Sequence, residues 1–432
     1  MSAIQHYTAA FNGFAGTALS AEKKSLREEA FKRFLDKGFP TVKDEEWKYT
    51  NIAPIANGSF APSSPSNDSK RSIEKFLIAG NDVHLFVFVN GFLDHSLSLN
   101  TRLPEGVTAG ALSANGDHPA VREHLGRIAT MHNGTLVDLN TAFLCEGAFL
   151  HVPKNIHVEK PIHFLFINDT AASPVFVSPR NLFIAEEASN VQVIESFHTE
   201  GTDSAAFTNA VTEVYTAKDA VLDLTKVQLE NKHSYHVGYT AARQHRHSEF
   251  HITTLTLDGA IVRNNLNILL AEEQCTAYLY GLYLLDGTQL VDNHSLVDHA
   301  VPHCQSNELY KGIIDGKAQG VFNGKIFVRK DAQKTNAYQS NKNILLSDDA
   351  SMNTKPQLEI FADDVKCSHG TTTGQLDEEA LFYLRSRGIG EDHARAFLNI
   401  AFAGDVIQKV AYEPLRNRLM ELMEKKLRRE AF

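Results

Sequence analysis

The strongest constraint on the fold is a recurrence of acidic–small turn pairs through the middle of the chain. They are Asp219-Ala220, Asp258-Gly259, Asp286-Gly287, Asp315-Gly316, Asp331-Ala332 and Asp349-Ala350. Short β-branched or alternating stretches accompany them, as in Ala260–Leu270, Thr276–Leu285, Val321–Val328 and Asn341–Leu346. Asp258 and Asp286 lie 28 residues apart, Asp286 and Asp315 29, and Asp315 and Asp349 34, with halfway marks near Glu273 and Asp331. A coil of about 30 residues, with two strands and two turns, fits these intervals. One such coil cannot bury its own apolar face and must stack on its neighbours. The spacing predicts a mainly β chain with a parallel β-helix, a solenoid, at its core. No helical pattern of about 10 to 15 residues interrupts the strands between residues 180 and 365, which argues against a doubly wound α/β sheet. A β-sandwich or jelly roll stays open as the plainer alternative.

The flanks read differently. Leu26, Ala30 and Phe34, with Phe31 and Leu35 beside them, give a helical stripe that Ser20 is placed to cap, and Gly38 and Pro40 end it. The Ser-, Pro- and Asn-rich run Asn57–Ser69 reads as a linker or mobile excursion. His84–Val89, Asn90-Gly91 and Phe92–Leu99 read as strand, tight turn, strand. Near the other end, Asp377 is placed to cap a helix over Glu378–Arg387, and Gly388 closes it. A second helix is expected over Glu391–Val410, and a third after Pro414 that ends in a basic stretch. The expected division is an N-terminal helical region with linker (1–75), a β-rich region with the β-helix (76–375) and a C-terminal helical domain (376–432). Helical ends suit a solenoid, whose terminal coils otherwise expose strand edges.

Composition narrows the function classes. Hydrophobic residues at 43% and charged residues at 22% fit a globular protein with a large core. A net charge of −10 disfavours unspecific binding to nucleic-acid phosphates. The start MSAIQHYTAAFNGF lacks a secretory pattern, and the apolar run at Phe86–Val89 is far shorter than the roughly 20 residues of a membrane span. Cys145, Cys275, Cys304 and Cys367 are scattered without a CxxC, too dispersed for a disulfide framework. A cytoplasmic location is the simplest expectation.

Cys367-Ser368-His369-Gly370 is the sharpest chemical candidate. A thiolate and an imidazole two residues apart point to one side of a strand, and both ligate iron or zinc. Two ligands do not complete a site, so a partner or substrate must supply the rest. On the residues alone the favoured reading is a packed thiol beside a histidine bonded to a backbone carbonyl. The other histidine groups, His245-Arg246-His247 with His251, and His294, His299 and His303 with Cys304, read as solvated strand residues or a polar face. The pairs Asp348-Asp349 and Asp363-Asp364 suit turns, because adjacent strand residues point opposite ways. P-loop, G-x-S-x-G and H-E-x-x-H signatures are absent.

Asn341–Ser347, then Pro356-Gln357-Leu358-Glu359-Ile360-Phe361-Ala362-Asp363-Asp364-Val365-Lys366-Cys367-Ser368-His369-Gly370, then Leu381–Ile389 resemble the SufB/SufD family of iron–sulfur cluster assembly proteins. Glu46-Trp47-Lys48-Tyr49-Thr50 resembles its N-terminal SufD element, and Lys-Cys-Ser-His-Gly is the form similar to the SufD branch. The resemblance implies a right-handed parallel β-helix between helical terminal domains, and a scaffold without catalysis of its own. It implies pairing with a SufB-type subunit through the β-helix and docking of a SufC-type ATPase on the C-terminal helices. Cys367 and His369 would then face the shared interface as metal ligands. A transient iron or nascent Fe–S cluster would be shared with SufB, with no tightly bound cofactor in the isolated chain. Two rival readings remain: a β-helical carbohydrate-active enzyme, and a purely structural homodimer.

Overall fold

The computed structural model describes residues 3–14, 21–65, 71–129, 134–144, 146–171, 173–201 and 204–428. Ser20 and Cys145, singled out above as a helix cap and a free thiol, lie outside them. From Ile162 onward the chain alternates between two sheets, one of eleven and one of ten strands. Each coil gives one strand to each sheet, and like strands stack in parallel and in register. Glu249, Thr276, Gln305, Asn336 and Lys366, for example, form one column. The middle of the chain is a parallel β-helix.

The corners explain the period. Asn155, Ala188, Asp219, His247, Gln274, His303 and Lys334 all adopt φ between 55 and 64°, one residue per coil at the same corner. This left-handed conformation is uncommon outside glycine but favours Asn, Asp and His. Its amide is turned along the stack: Asp219 N–H donates to Arg246 O, His247 N–H to Glu273 O and Lys334 N–H to Asp364 O. At the opposite corner Gly259, Gly287 and Gly316 take positive φ instead. The turn pairs of the sequence therefore belong to two different corners.

The interior changes character along the axis. Early coils stack aromatic rings, Phe88 on Phe166 on Phe197 and Phe164 on Phe183. In the later coils bulk and glycine alternate: Gly281 lies beside Tyr310 and Tyr283 beside Gly312 in the ladder. A Cβ on either glycine would come within 2.2 Å of the neighbouring ring. Polar groups also lie inside, from Glu195 and Lys226 in an early coil to Asn341 and Asn343 beyond these rings.

The flanks lie on the outer faces. Phe11, Phe31 and Phe34 of the helices Ala3–Phe14 and Ala21–Lys37 pack on Phe143, Phe176 and Phe207. The run expected as a linker is partly held: Phe60 is buried, and Ala61–Pro62 pair in parallel with Val175 and Phe176. Its alternation was hidden by prolines, which an edge strand tolerates. The hairpin His84–Val89 and Phe92–Leu99 forms with Asn90 and Gly91 at positive φ, as a two-residue turn of this hand requires. Its first strand joins the ten-stranded sheet beside Ile162–Asp169. Short helices Pro119–His124 and Thr135–Ala142, with no counterpart in the sequence reading, precede the first regular coils.

At the other end Asp377 caps Glu378–Ser386, accepting from the amides of Glu379 and Ala380. The helices Glu391–Ile407 and Glu413–Leu427 follow. They dock on the outer face of the ten-stranded sheet, where the Lys311 ammonium donates to Phe402 O and Asp405 Oδ2 at 2.7 and 2.5 Å. Among the described residues no helix is long and apolar enough to cross a membrane.

Candidate functional site

Among the described residues no strand pairs beyond the last coil of the stack. Ser351–Ile360 is the last strand of one sheet and Lys366–Gly374 the last of the other. Register puts Cys367 above Ala337, His369 above Gln339, Thr371 above Asn341 and Thr373 above Asn343. All four lower residues are buried between the sheets. Cys367 and His369 therefore share the inward face, as side-chain alternation predicts. A hydrogen bond of 3.1 Å between the hydroxyls of Thr354 and Thr371 ties the two end strands across the interior.

The two groups differ in setting. Cys367 is half-buried, packed against the apolar cluster of Ile326, Val328, Ala337 and Ala362, and this burial pushes its thiol pKa up. A thiol held there stays protonated near neutrality until a cation replaces the proton. His369 is exposed. Chemically the pair offers one soft and one borderline donor on a single rim. Among the described residues no group of three or more His, Cys, Asp or Glu side chains is arranged to hold a metal ion.

Behind His369 runs a polar column that the sequence reading missed. One coil down is Gln339 and two coils down Glu308, in register. Gln339 Nε2 donates to Glu308 Oε2 at 2.8 Å, and Ser295 Oγ donates to Glu308 Oε1 at 2.5 Å. Burial lifts the Glu308 pKa to about 7 against these hydrogen bonds. No local motif signals the column, because its members lie a full coil apart.

The other histidine groups disperse. His247 and His303 are the left-handed corner residues of their coils, which accounts for their positions. His245 Nδ1 lies 3.0 Å from Glu272 Oε1, and His251 Nε2 3.2 Å from Glu249 Oε2. His299 is buried against Ser306 Oγ at 2.9 Å, and the Cys304 thiol donates to Glu272 O, so neither faces His294.

His294 belongs to a clamp on the outer face. Its ring nitrogens lie 2.9 Å from Asp292 Oδ1 and 3.3 Å from Glu46 Oε2. The Arg263 guanidinium sits 3.8 Å over the Trp47 ring and donates to Asp292 Oδ2 at 2.5 Å and Glu46 O at 2.7 Å. Thr50 donates to the same Asp292 oxygen at 2.5 Å. Burial alone would raise Asp292, but Arg263, His294 and Thr50 outweigh it and hold the carboxyl at about 2. The Glu46–Thr50 run thus fastens the N-terminal region to the β-helix by bonding to its buried Arg263–Asp292 ion pair.

The SufBD core domain of the SUF system for FeS cluster assembly matches residues 166–402. The SufBD protein N-terminal region matches residues 2–164. The chain belongs to the SufBD family. Its relatives include an iron–sulfur cluster assembly SufBD family protein of Synechocystis, 34% identical across 88% of this chain and 86% of that one. The iron–sulfur cluster assembly protein SufD of Escherichia coli is 29% identical across 95% of this chain and 94% of its own length. The chloroplastic protein ABCI7 of Arabidopsis thaliana is 29% identical across 94% of this chain and 86% of its own. These matches run through the N-terminal helices as well as the β-helix, so the SufBD assignment covers the clamp, the coils and the open end together.

Proposed function

We propose that this SufBD family protein is the SufD-type scaffold subunit of a cytoplasmic SUF complex, and that its uncapped coil is the seam on which a SufB-type subunit closes. The carrying observation is the pair Cys367 and His369 on the inward rim of a terminal strand with a free edge. Lys366 N–H donates down the stack to Thr335 O, so alternation turns the amides of Cys367, His369, Thr371 and Thr373 toward that edge. A row of unpaired amides invites a second strand. Two donors are half of a tetrahedral set, and a partner strand brings the rest to the same rim. Iron, or a nascent cluster, is the cargo assembled there.

A second docking surface supports the same reading. Phe382, Tyr383 and Phe397 of the C-terminal helices are 74%, 56% and 58% exposed, while Glu391–Ile407 buries its opposite face on the β-helix and Glu378–Ser386 packs against that helix. Aromatic side chains left in water on a helix pair mark an interaction site, here for a SufC-type ATPase. The scaffold itself supplies binding and orientation, and nucleotide hydrolysis belongs to that partner.

The test is His369→Ala in the full complex. Partner capture is expected to persist while iron and cluster content fall severalfold, measured by anaerobic iron titration and by absorbance of the reconstituted complex. Undiminished cluster content at matched expression sinks the role of the imidazole.

A further inference from the structure

Two open valences face each other across one step of the ladder. Gln339 Oε1 is a buried amide oxygen that no described donor reaches. Directly above it in register is His369, whose ring makes no hydrogen bond to the described residues. Parallel strands stand about 4.8 Å apart, so side chains on adjacent rungs of one column are natural partners. A buried acceptor without a donor carries an uncompensated desolvation cost. That cost is removed when an imidazole N–H turns down to meet it.

The amide is fixed from below and from across. Ionised Glu308 can only accept, so the end of Gln339 that faces it must be the NH2 group. Ser295 fills the other carboxylate oxygen, leaving Glu308 no reason to release the amide. On the opposite strand Gly324 clears the space: a Cβ there would lie 2.1 Å from Gln339 Nε2. With the nitrogen pinned downward, the oxygen is the end of the amide left without a donor, one rung below His369.

We propose that Gln339, locked by Glu308 and Ser295 in the pocket left by Gly324, is a positioning residue that takes one ring N–H of His369 and leaves the other nitrogen bare at the rim. This rests on the reading of His369 as an iron ligand and adds what selects its tautomer and aims it. A ligating imidazole whose second nitrogen is held by a carbonyl oxygen is oriented and more basic than a free one. At this end the polar column carries its hydrogen bonds outward to the rim.

The test uses the full chain labelled with 15N in histidine, at pH 8 where Glu308 is ionised, with the His369 signals assigned by their loss in His369→Ala. Wild type is expected to show one dominant His369 tautomer. Gln339→Met, similar in length but without an acceptor, is expected to relax it to the mixture of a solvated imidazole. Gln339→Glu, sharing one proton with Glu308 as two carboxyls in contact must, donates down through its hydroxyl, offers a carbonyl oxygen above and is expected to recover the single tautomer. In complex with the partner subunit, Gln339→Met should weaken iron binding about tenfold or more, within the range for lost outer-shell partners. Urea titration of each variant checks that the fold persists. An identical His369 tautomer ratio in wild type and Gln339→Met overturns the proposal, whatever His369→Ala does to iron content. Normal iron content in His369→Ala overturns the ligand reading instead, whatever the tautomer ratio.

Discussion

At the residue scale, the interior titrates in two opposing senses. His163, His198 and His299 are buried and held down to about 3 by desolvation. They bind fewer protons folded than unfolded between about pH 3 and 6.5, so the stability they contribute is lost as pH falls through that window. Each costs about 2 kcal/mol at pH 5, 1.5 pH units below the ordinary value of 6.5. Glu308, raised to about 7, binds more protons folded, so its penalty is greatest above pH 7 and shrinks as pH falls toward 4.5. Asp223, raised to about 6 by burial, acts in the same sense as Glu308, and the three histidines outweigh the two carboxyls. The urea midpoint is expected to fall between pH 7 and pH 5, and a flat or rising midpoint would contradict the burial of these rings. Glu308→Gln removes its share of the opposing contribution and should steepen the fall. Cys367 and His369 stand in one motif, and alternation alone puts them on one face. Gln339 and Glu308 were illegible because their relation to His369 depends on coil register, which no local pattern carries.

At the element scale, corner chemistry explains what could be read. Asp-Gly and Asp-Ala pairs stood out because each coil must reverse twice, and every reversal needs a residue that accepts positive φ or a tight bend. Where His247, Gln274 and Lys334 fill the same corner, the signal vanishes into ordinary polar residues. His247 of the His245-Arg246-His247 run stands at its position for that reason. The proposed seam rests on the edge of the terminal strand. Thr371 directs its amide to the free edge, so Thr371→Pro deletes an edge donor without breaking a ladder hydrogen bond. The variant also loses the Thr371–Thr354 hydroxyl bond, and it is expected to fold with a stability within about 1 kcal/mol of wild type, yet to lose partner capture by gel filtration. Capture at wild-type strength would show that the seam does not use this edge.

At the scale of the whole molecule, the periodic middle was legible because stacked coils repeat one solution. The N-terminal half was less so: helices Pro119–His124 and Thr135–Ala142 and the strand in Asn57–Ser69 interrupt the period before it becomes regular. Each coil bonds only to its two neighbours, so stability is shared locally along the axis. A central strand such as Thr276–Leu285 has a neighbour on each side and a docked helix, whereas Lys366–Gly374 has one neighbour. Hydrogen exchange is expected to run orders of magnitude faster in residues 366–374 than in 276–285, and to slow at the end strand when the partner is added. Equal protection in the two strands of the lone chain would mean that the end coil is not exposed.

Only Gln375, Leu376 and Asp377 connect the terminal strand to the first C-terminal helix, and Leu376 is buried. Three residues reach about 10 Å at full extension. A tether that short has almost no slack, so any partner that levers the helices away from their seat on Lys311 also tugs the strand, and the thiol and imidazole travel with it.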